Sequence, residues 1–223
     1  MHIRIAELGA LTRERDVTTD RKGTAAGEGH GTNPSHYRGP VCERTGMTSA
    51  DRIAILGGTF TPIHDGHRAL LHKAFQTASH DGEGDGHVIV GLTSTELARQ
   101  TRSDPDHAEL LGPFEQRRDA LETELDRLSG AYTASVEIIE LEDTHGPAGT
   151  REDIDALVVS PEGKAQHRAH ELNEQRIRDG LTPLEIHTAP FVTADDGTRI
   201  SSTRIRNGEI DVHGRVLVDA NED

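Results

Sequence analysis

From Arg52 onward, short aliphatic runs alternate with helical periods. "RIAILGG" (52 to 58) and "HVIVGLT" (87 to 93) read as buried strands ending in Gly or Thr. Between them "HRALLHKAFQTA" places Leu70, Leu71, Ala74, Phe75 and Ala78 on one helical face, which makes a strand, helix, strand unit. "PFEQRRDALETELDRL" (113 to 128) carries Phe114, Leu121, Leu125 and Leu128 as a second stripe, with Pro113 suited to a first helical turn. "SVEIIELE" (135 to 142) and "IDALVVS" (154 to 160) are further strands, and "KAQHRAHELNEQRIRDG" (164 to 180) is a helix stopped by Gly180. "LEIHTAPFV" (184 to 192) supplies a fifth strand, and "SSTRIRNGEI" opens a short helix capped by Ser201 or Ser202. Five strands alternating with helices predict an α/β fold, a Rossmann-like doubly wound five-stranded parallel sheet with helices on both faces. Ligands of such a sheet lie beyond the carboxyl ends of its strands, at the switch point.

Residues 1 to 46 have no sustained period and are rich in Gly, Thr, Ser and Pro. Such a stretch buries too little apolar surface to offset the entropy of ordering it, so it is expected to be disordered. Met47, four residues before "DRIAILGG", is the expected natural start, with a genuine flexible tail as the rival reading. The folded domain is expected over residues 47 to 215, followed by a short tail, 216 to 223.

Composition narrows the chemistry. The formal charge of -15 makes nucleic acid and anionic membranes poor partners. Lys22, Lys73 and Lys164 are the only lysines, and an acid-rich, lysine-poor surface is expected of a halophilic, archaeal source, where salt screens the self-repulsion. Aromatics are only 3% of the chain, so the core must be aliphatic. Cys42 stands alone, which excludes an intrachain disulfide and a cysteine-based zinc site. No apolar run reaches the roughly 20 residues of a membrane span, and a cytoplasmic location is expected. The acidic stretch "DGEGDGH" (81 to 87) reads as a solvated loop, because it lacks the downstream Glu of a calcium loop.

The chemistry concentrates at "GGTFTPIHDGH" (57 to 67), the first strand-to-helix connection. Glycines let a ligand approach the backbone, a helix start offers unpaired N–H groups to an anion, and His64 and His67 would flank that anion. The alternatives at this stage are a plain tight turn and a metal site. A Walker loop would need Gly-Lys-Ser/Thr where Asp-Gly-His stands.

His64, Asp65, Gly66 and His67 resemble the HxGH signature of a nucleotidyltransferase superfamily, and "ISSTRIRNGEID" (200 to 211) resembles its ISSTxI segment. "LEDTHGPAG", "DALVVSPE" and "LNEQRIRDGLTPLEI" are similar to the archaeal and eukaryotic type of phosphopantetheine adenylyltransferase, and the resemblance spans about residues 52 to 215. One departure is Thr61, where that family commonly has Asp in GTFDP. The resemblance implies transfer of AMP from ATP to 4'-phosphopantetheine with Mg2+, giving dephospho-CoA and pyrophosphate. It implies His67 and His64 as catalytic donors to the α-phosphate, and Gly58, Thr59 and Phe60 along the nucleotide loop. Ser201, Ser202, Thr203 and Arg204 would hold the outer phosphates. Thr59 and Lys73 are candidates for the acceptor side, and Arg117 is a further cation that could screen the acceptor phosphate. A superfamily member acting on nicotinamide mononucleotide, a cytidylyltransferase and a non-catalytic ATP-binding module are the rivals. "DDGTRISSTRI" lacks the Arg-Thr-x-Gly-Ile-Ser-Thr-Thr pattern of the cytidylyltransferases. Oligomeric state and the pocket for the pantetheine arm are not legible in the sequence.

Overall fold

The computed structural model describes residues 52–79, 86–101 and 111–217. The expectations for residues 1 to 46, for Met47, for most of the acidic stretch 81 to 87 and for the end of the tail lie outside the described residues. The elements run β1 (Ile53–Gly58), α1 (Asp65–Ala78), β2 (His87–Thr93), α2 (Thr95–Gln100), α3 (Phe114–Ser129), β3 (Ser135–Leu141), a 3-10 turn (Gly146–Gly149), β4 (Ala156–Val159), α4 (Gly163–Arg178), β5 (Glu185–Thr188) and α5 (Ser202–Arg206).

All four strand pairings are parallel, in the order β3-β2-β1-β4-β5. β1 sits at the centre because its side chains are apolar on both faces, as a strand covered on two sides requires. Ala54 and Leu56 face a layer built by Leu71 and Phe75 of α1 with Leu121 and Leu125 of α3. Ile55 faces the opposite layer, with Leu172 of α4, Ala148 of the 3-10 turn and Leu184. Helices therefore cover both faces, and the doubly wound sheet expected from the chain pattern is the one observed. The predicted stripe of α1 is buried in full, from Leu70 to Ala78.

β4 and β5 are shorter than the aliphatic runs that predicted them. Ile154 and Leu184 turn into the layer with Leu172 and Ala148 before their strands begin, and Pro190 follows soon after β5 ends. α2 was not expected at all. It starts where the Ser94 hydroxyl accepts the Leu97 N–H at 3.1 Å directly after β2. No helix among the described residues is long and apolar enough to cross a membrane.

From β1 the chain winds one way to β2 and β3, then returns to β4 on the other side of β1. The carboxyl ends of β1 and β4 thus frame the switch-point crevice; the first signature segment follows β1, and the second comes after the edge strand β5.

Candidate active site

The first segment leaves β1 at Gly57 and Gly58. A side-chain carbon on Gly58 would stand 3.0 Å from the Phe60 ring, so any larger residue would press on that ring. Phe60 itself adopts φ 48° and is 1% exposed, its ring tucked beneath the loop. His64 is the N-cap of α1: its Nδ1 accepts the Gly66 N–H at 3.1 Å, and its carbonyl accepts the His67 N–H at 2.8 Å. Because Nδ1 is an acceptor, a neutral His64 carries its proton on Nε2. The His67 ring stacks on His64 with centroids 3.9 Å apart and leans on Phe60 at 5.2 Å.

The second segment arrives extended and turns into α5 at Ser201, whose hydroxyl accepts the Arg204 N–H at 3.3 Å. A cleft of about 310 Å³ joins the two segments, lined on one side by Gly58, His64, Gly66 and His67 and on the other by Arg199, Ser201 and Ser202. Arg206 ties the segments directly, donating from its guanidinium to the Thr61 carbonyl at 3.0 Å. The Thr61 backbone is thus anchored from the second segment.

Burial controls the imidazoles. His64 is pushed down to about 4, first by burial and then by the Arg199 charge. His67 is pushed down to about 3, again by burial and next by His64 beside it. Both rings are therefore neutral at physiological pH and present N–H donors without fixed charge. An arriving polyanion opposes both depressions, drawing the rings toward the imidazolium form as negative charge accumulates.

Not every sequence candidate reaches this cleft. Phe60 does not line it: the ring is buried because the loop folds over it, and its part is to support His67. Thr203 points to solvent from the first turn of α5 and accepts from Arg206 at 3.3 Å. Arg204 turns away, with Nε on Glu209 at 2.9 Å and a terminal nitrogen on Asp196 at 2.5 Å. Lys73, on α1, lines neither this cleft nor its neighbour. Sequence reasoning missed Arg199 and Glu162, which form an ion pair at the cleft. For Arg199 a signal existed: in an extended strand residues two apart share a face, and Arg199 stands two before Ser201, whereas Arg204 is carried round by the helix.

A second cavity of about 300 Å³ shares Gly57 and Gly58 with the first. It opens over Thr59, Leu97, Thr101, Leu141, His145 and Arg168. The "DTHGP" segment reaches it because the Asp143 carboxylate accepts the N–H groups of His145 and Gly146 at 2.8 and 2.6 Å and bends the chain there. Arg117 stands behind its wall rather than in solvent. It is 2% exposed and donates to the Thr93 carbonyl at 2.9 Å, bracing the end of β2.

Among the described residues no group of three or more His, Cys, Asp or Glu could hold a metal ion. Among the described residues, Glu162 is the carboxylate that lines the first cleft. This donor set fits a cation that arrives on phosphate oxygens, since Mg2+ needs only one or two carboxylates beside them.

Residues 55–208 match the cytidylyltransferase-like family. The chain is 42% identical over 165 residues to the phosphopantetheine adenylyltransferase of Methanosarcina acetivorans, covering 74% of this chain and 95% of that protein. It is 39% identical over 169 residues to the enzyme of the same name from Methanosarcina mazei, covering 76% and 99%. Against the bifunctional phosphopantetheine adenylyltransferase/NTP phosphatase of Thermoplasma volcanium it is 37% identical over 165 residues, covering 74% of this chain and 45% of that protein.

Proposed function

The chain belongs to the cytidylyltransferase-like family and, within it, to the phosphopantetheine adenylyltransferases, and from that membership we propose how its two cavities divide the reaction. The protein transfers the adenylyl group of ATP to 4'-phosphopantetheine, forming dephospho-CoA and pyrophosphate. ATP occupies the cleft between the α1 start and Ser201–Ser202, and the acceptor occupies the cavity over Thr59. The observation that carries this division is the convergence of His64, Gly66, His67, Ser201 and Ser202 on one cleft that meets the second cavity at Gly58.

The reaction needs no protein nucleophile, because an oxygen of the acceptor phosphate attacks the α-phosphorus itself. The protein has to align two anions and stabilise the charge that develops between them. Gly58 leaves room for the phosphorus beside the backbone. The Nε2–H of His64 and the ring of His67 donate to α-phosphate oxygens, and His67 strengthens as charge builds. Thr59 lies on the acceptor side. Mg2+ enters with ATP, and Glu162 is, among the described residues, the carboxylate lining the cleft that could face it. The acid-rich composition supports a salt-adapted enzyme.

The test is pyrophosphate release with ATP, Mg2+ and each acceptor in concentrated potassium chloride. Turnover with 4'-phosphopantetheine is expected. Turnover with nicotinamide mononucleotide alone overturns the assignment.

A further inference from the structure

Arg204, the cation that the motif puts forward for the triphosphate, already serves two carboxylates. Its Nε holds Glu209, its terminal nitrogens reach Asp196 at 2.5 and 3.4 Å, and Thr198 accepts a further bond. These contacts lock the turn between Thr193 and Arg199 onto α5, away from the cleft. The guanidinium that does line the cleft is Arg199. Its charge is the main influence on His64 after burial and also reaches His67. Its partner is Glu162, the N-cap residue of α4, which lines the same cleft.

We propose that Arg199 is a phosphate-binding residue of the adenylyl-transfer site, held by Glu162 while the cleft is empty and handed to the triphosphate when ATP binds. The inference rests on the reading of this cleft as the ATP site. The pair is built to exchange. Its side chains are 36% and 45% exposed, and a pair so open to water and salt is weakly held. A triphosphate brings several charges and oxygens spaced for a bidentate guanidinium, which one carboxylate cannot match. Glu162, once released, stays exposed at the start of α4, where a helix favours negative charge, so the exchange strands no buried ion.

Arg199 enters on the same side as Ser201 and so faces the part of the triphosphate that leaves. As an oxygen of the acceptor phosphate bonds to the α-phosphorus, the bond from that phosphorus to the bridging oxygen breaks and its electron pair departs with pyrophosphate. A guanidinium there stabilises that departing charge, while the histidines serve the α-phosphate. Until then Glu162 offsets a cation that would otherwise stand beside two rings kept neutral by burial.

Binding of a non-hydrolysable ATP analogue without Mg2+, so that Glu162 acts only through Arg199, is measured by calorimetry, and steady-state turnover is measured with Mg2+, in wild type, Arg199→Gln, Arg199→Lys, Glu162→Gln and the Arg199→Gln/Glu162→Gln double variant. Arg199→Gln is expected to weaken the analogue about tenfold and to lower kcat, with Arg199→Lys in between because it keeps the charge and loses the fork. Glu162→Gln is expected to tighten the analogue by about threefold, and that gain should vanish in the double variant, where nothing is left to release. Arg204→Gln is expected to weaken the analogue less than Arg199→Gln. Analogue binding unchanged in Arg199→Gln, or weakened in Glu162→Gln, overturns the proposal. Both side chains are exposed, and melting temperatures confirm that the variants fold. Wild-type protein that binds the analogue but never turns over 4'-phosphopantetheine would refute the acceptor assignment and leave the Arg199 comparison readable.

Discussion

Replacing Gly66 by Ala adds one methyl at the point where the two signature segments touch. A side-chain carbon there would lie 3.0 Å from both Cε1 and Nδ1 of His64 and 3.2 Å from Cγ2 of Ile200, against 3.4 to 4 Å for ordinary contact. Both neighbours must give by a few tenths of an ångström, and neither is free to do so. His64 is stacked on His67, and Ile200 is 2% exposed in the small core with Ala194 and Ile210. Overpacking of this kind costs about 1–3 kcal/mol, while exchanging Gly for Ala inside a helix returns about 1 kcal/mol. The net loss of stability is then about 0–2 kcal/mol, a fall in Tm of no more than about 8 °C for a protein of this size. Activity should suffer far more. The displaced His64 ring loses its bond to the Gly66 N–H, and misplacing a catalytic donor by a fraction of an ångström to 1 Å costs up to about 10²-fold in kcat/KM. The assay pairs a thermal melt with pyrophosphate release at saturating 4'-phosphopantetheine. A variant that melts like wild type and keeps kcat/KM within about threefold would show that the backbone at Gly66 is not pressed against the reacting groups, and the geometry argued for the cleft would be wrong.

Two further predictions follow from the histidines. His67→Ala should lower kcat at least about tenfold, equivalent to roughly 1.4 kcal/mol of barrier, with the fold retained; unchanged turnover removes His67 from the chemistry. Acid should destabilise the fold through both rings. Their folded values, about 4 and about 3, lie below the ordinary 6.5, so the unfolded chain binds more protons as pH falls through 6.5. The stability they supply is complete above that pH. By pH 5 the loss from His64 alone reaches up to about 2 kcal/mol. A His64→Asn/His67→Asn variant should show a flatter Tm-against-pH curve between pH 7.5 and 5, and an unchanged slope would refute the burial argument.

The sheet was legible because its strands are aliphatic runs and its first helix has a clean apolar stripe, both consequences of burial on fixed periods. α2 was not, since six residues contain too little of a helical period and only Leu97 and Ala98 are buried. The two histidines and Ser201 with Ser202 were visible as motifs, and the cleft joins them. Motif reading does not reveal side-chain direction. Phe60 belongs to the loop before the first signature yet points inward at a positive φ, and Arg204 lies within the second signature yet is engaged by Asp196 and Glu209. Asp196 lies eight residues upstream on a separate turn, so no local pattern announces the competition. The cavity over Thr59 collects residues from β1, the α2 region, the "DTHGP" bend and α4, a convergence that exists only once the chain is wound.

The shared wall at Gly57 and Gly58 has a stereochemical corollary. On the proposed division, with the acceptor approaching from one cavity and pyrophosphate withdrawing through the other, entering and departing oxygens stand on opposite flanks of a single phosphorus. A phosphorus attacked in that manner turns inside out like an umbrella in wind, so a single diastereomer of an α-thiophosphate substrate would emerge with its configuration reversed.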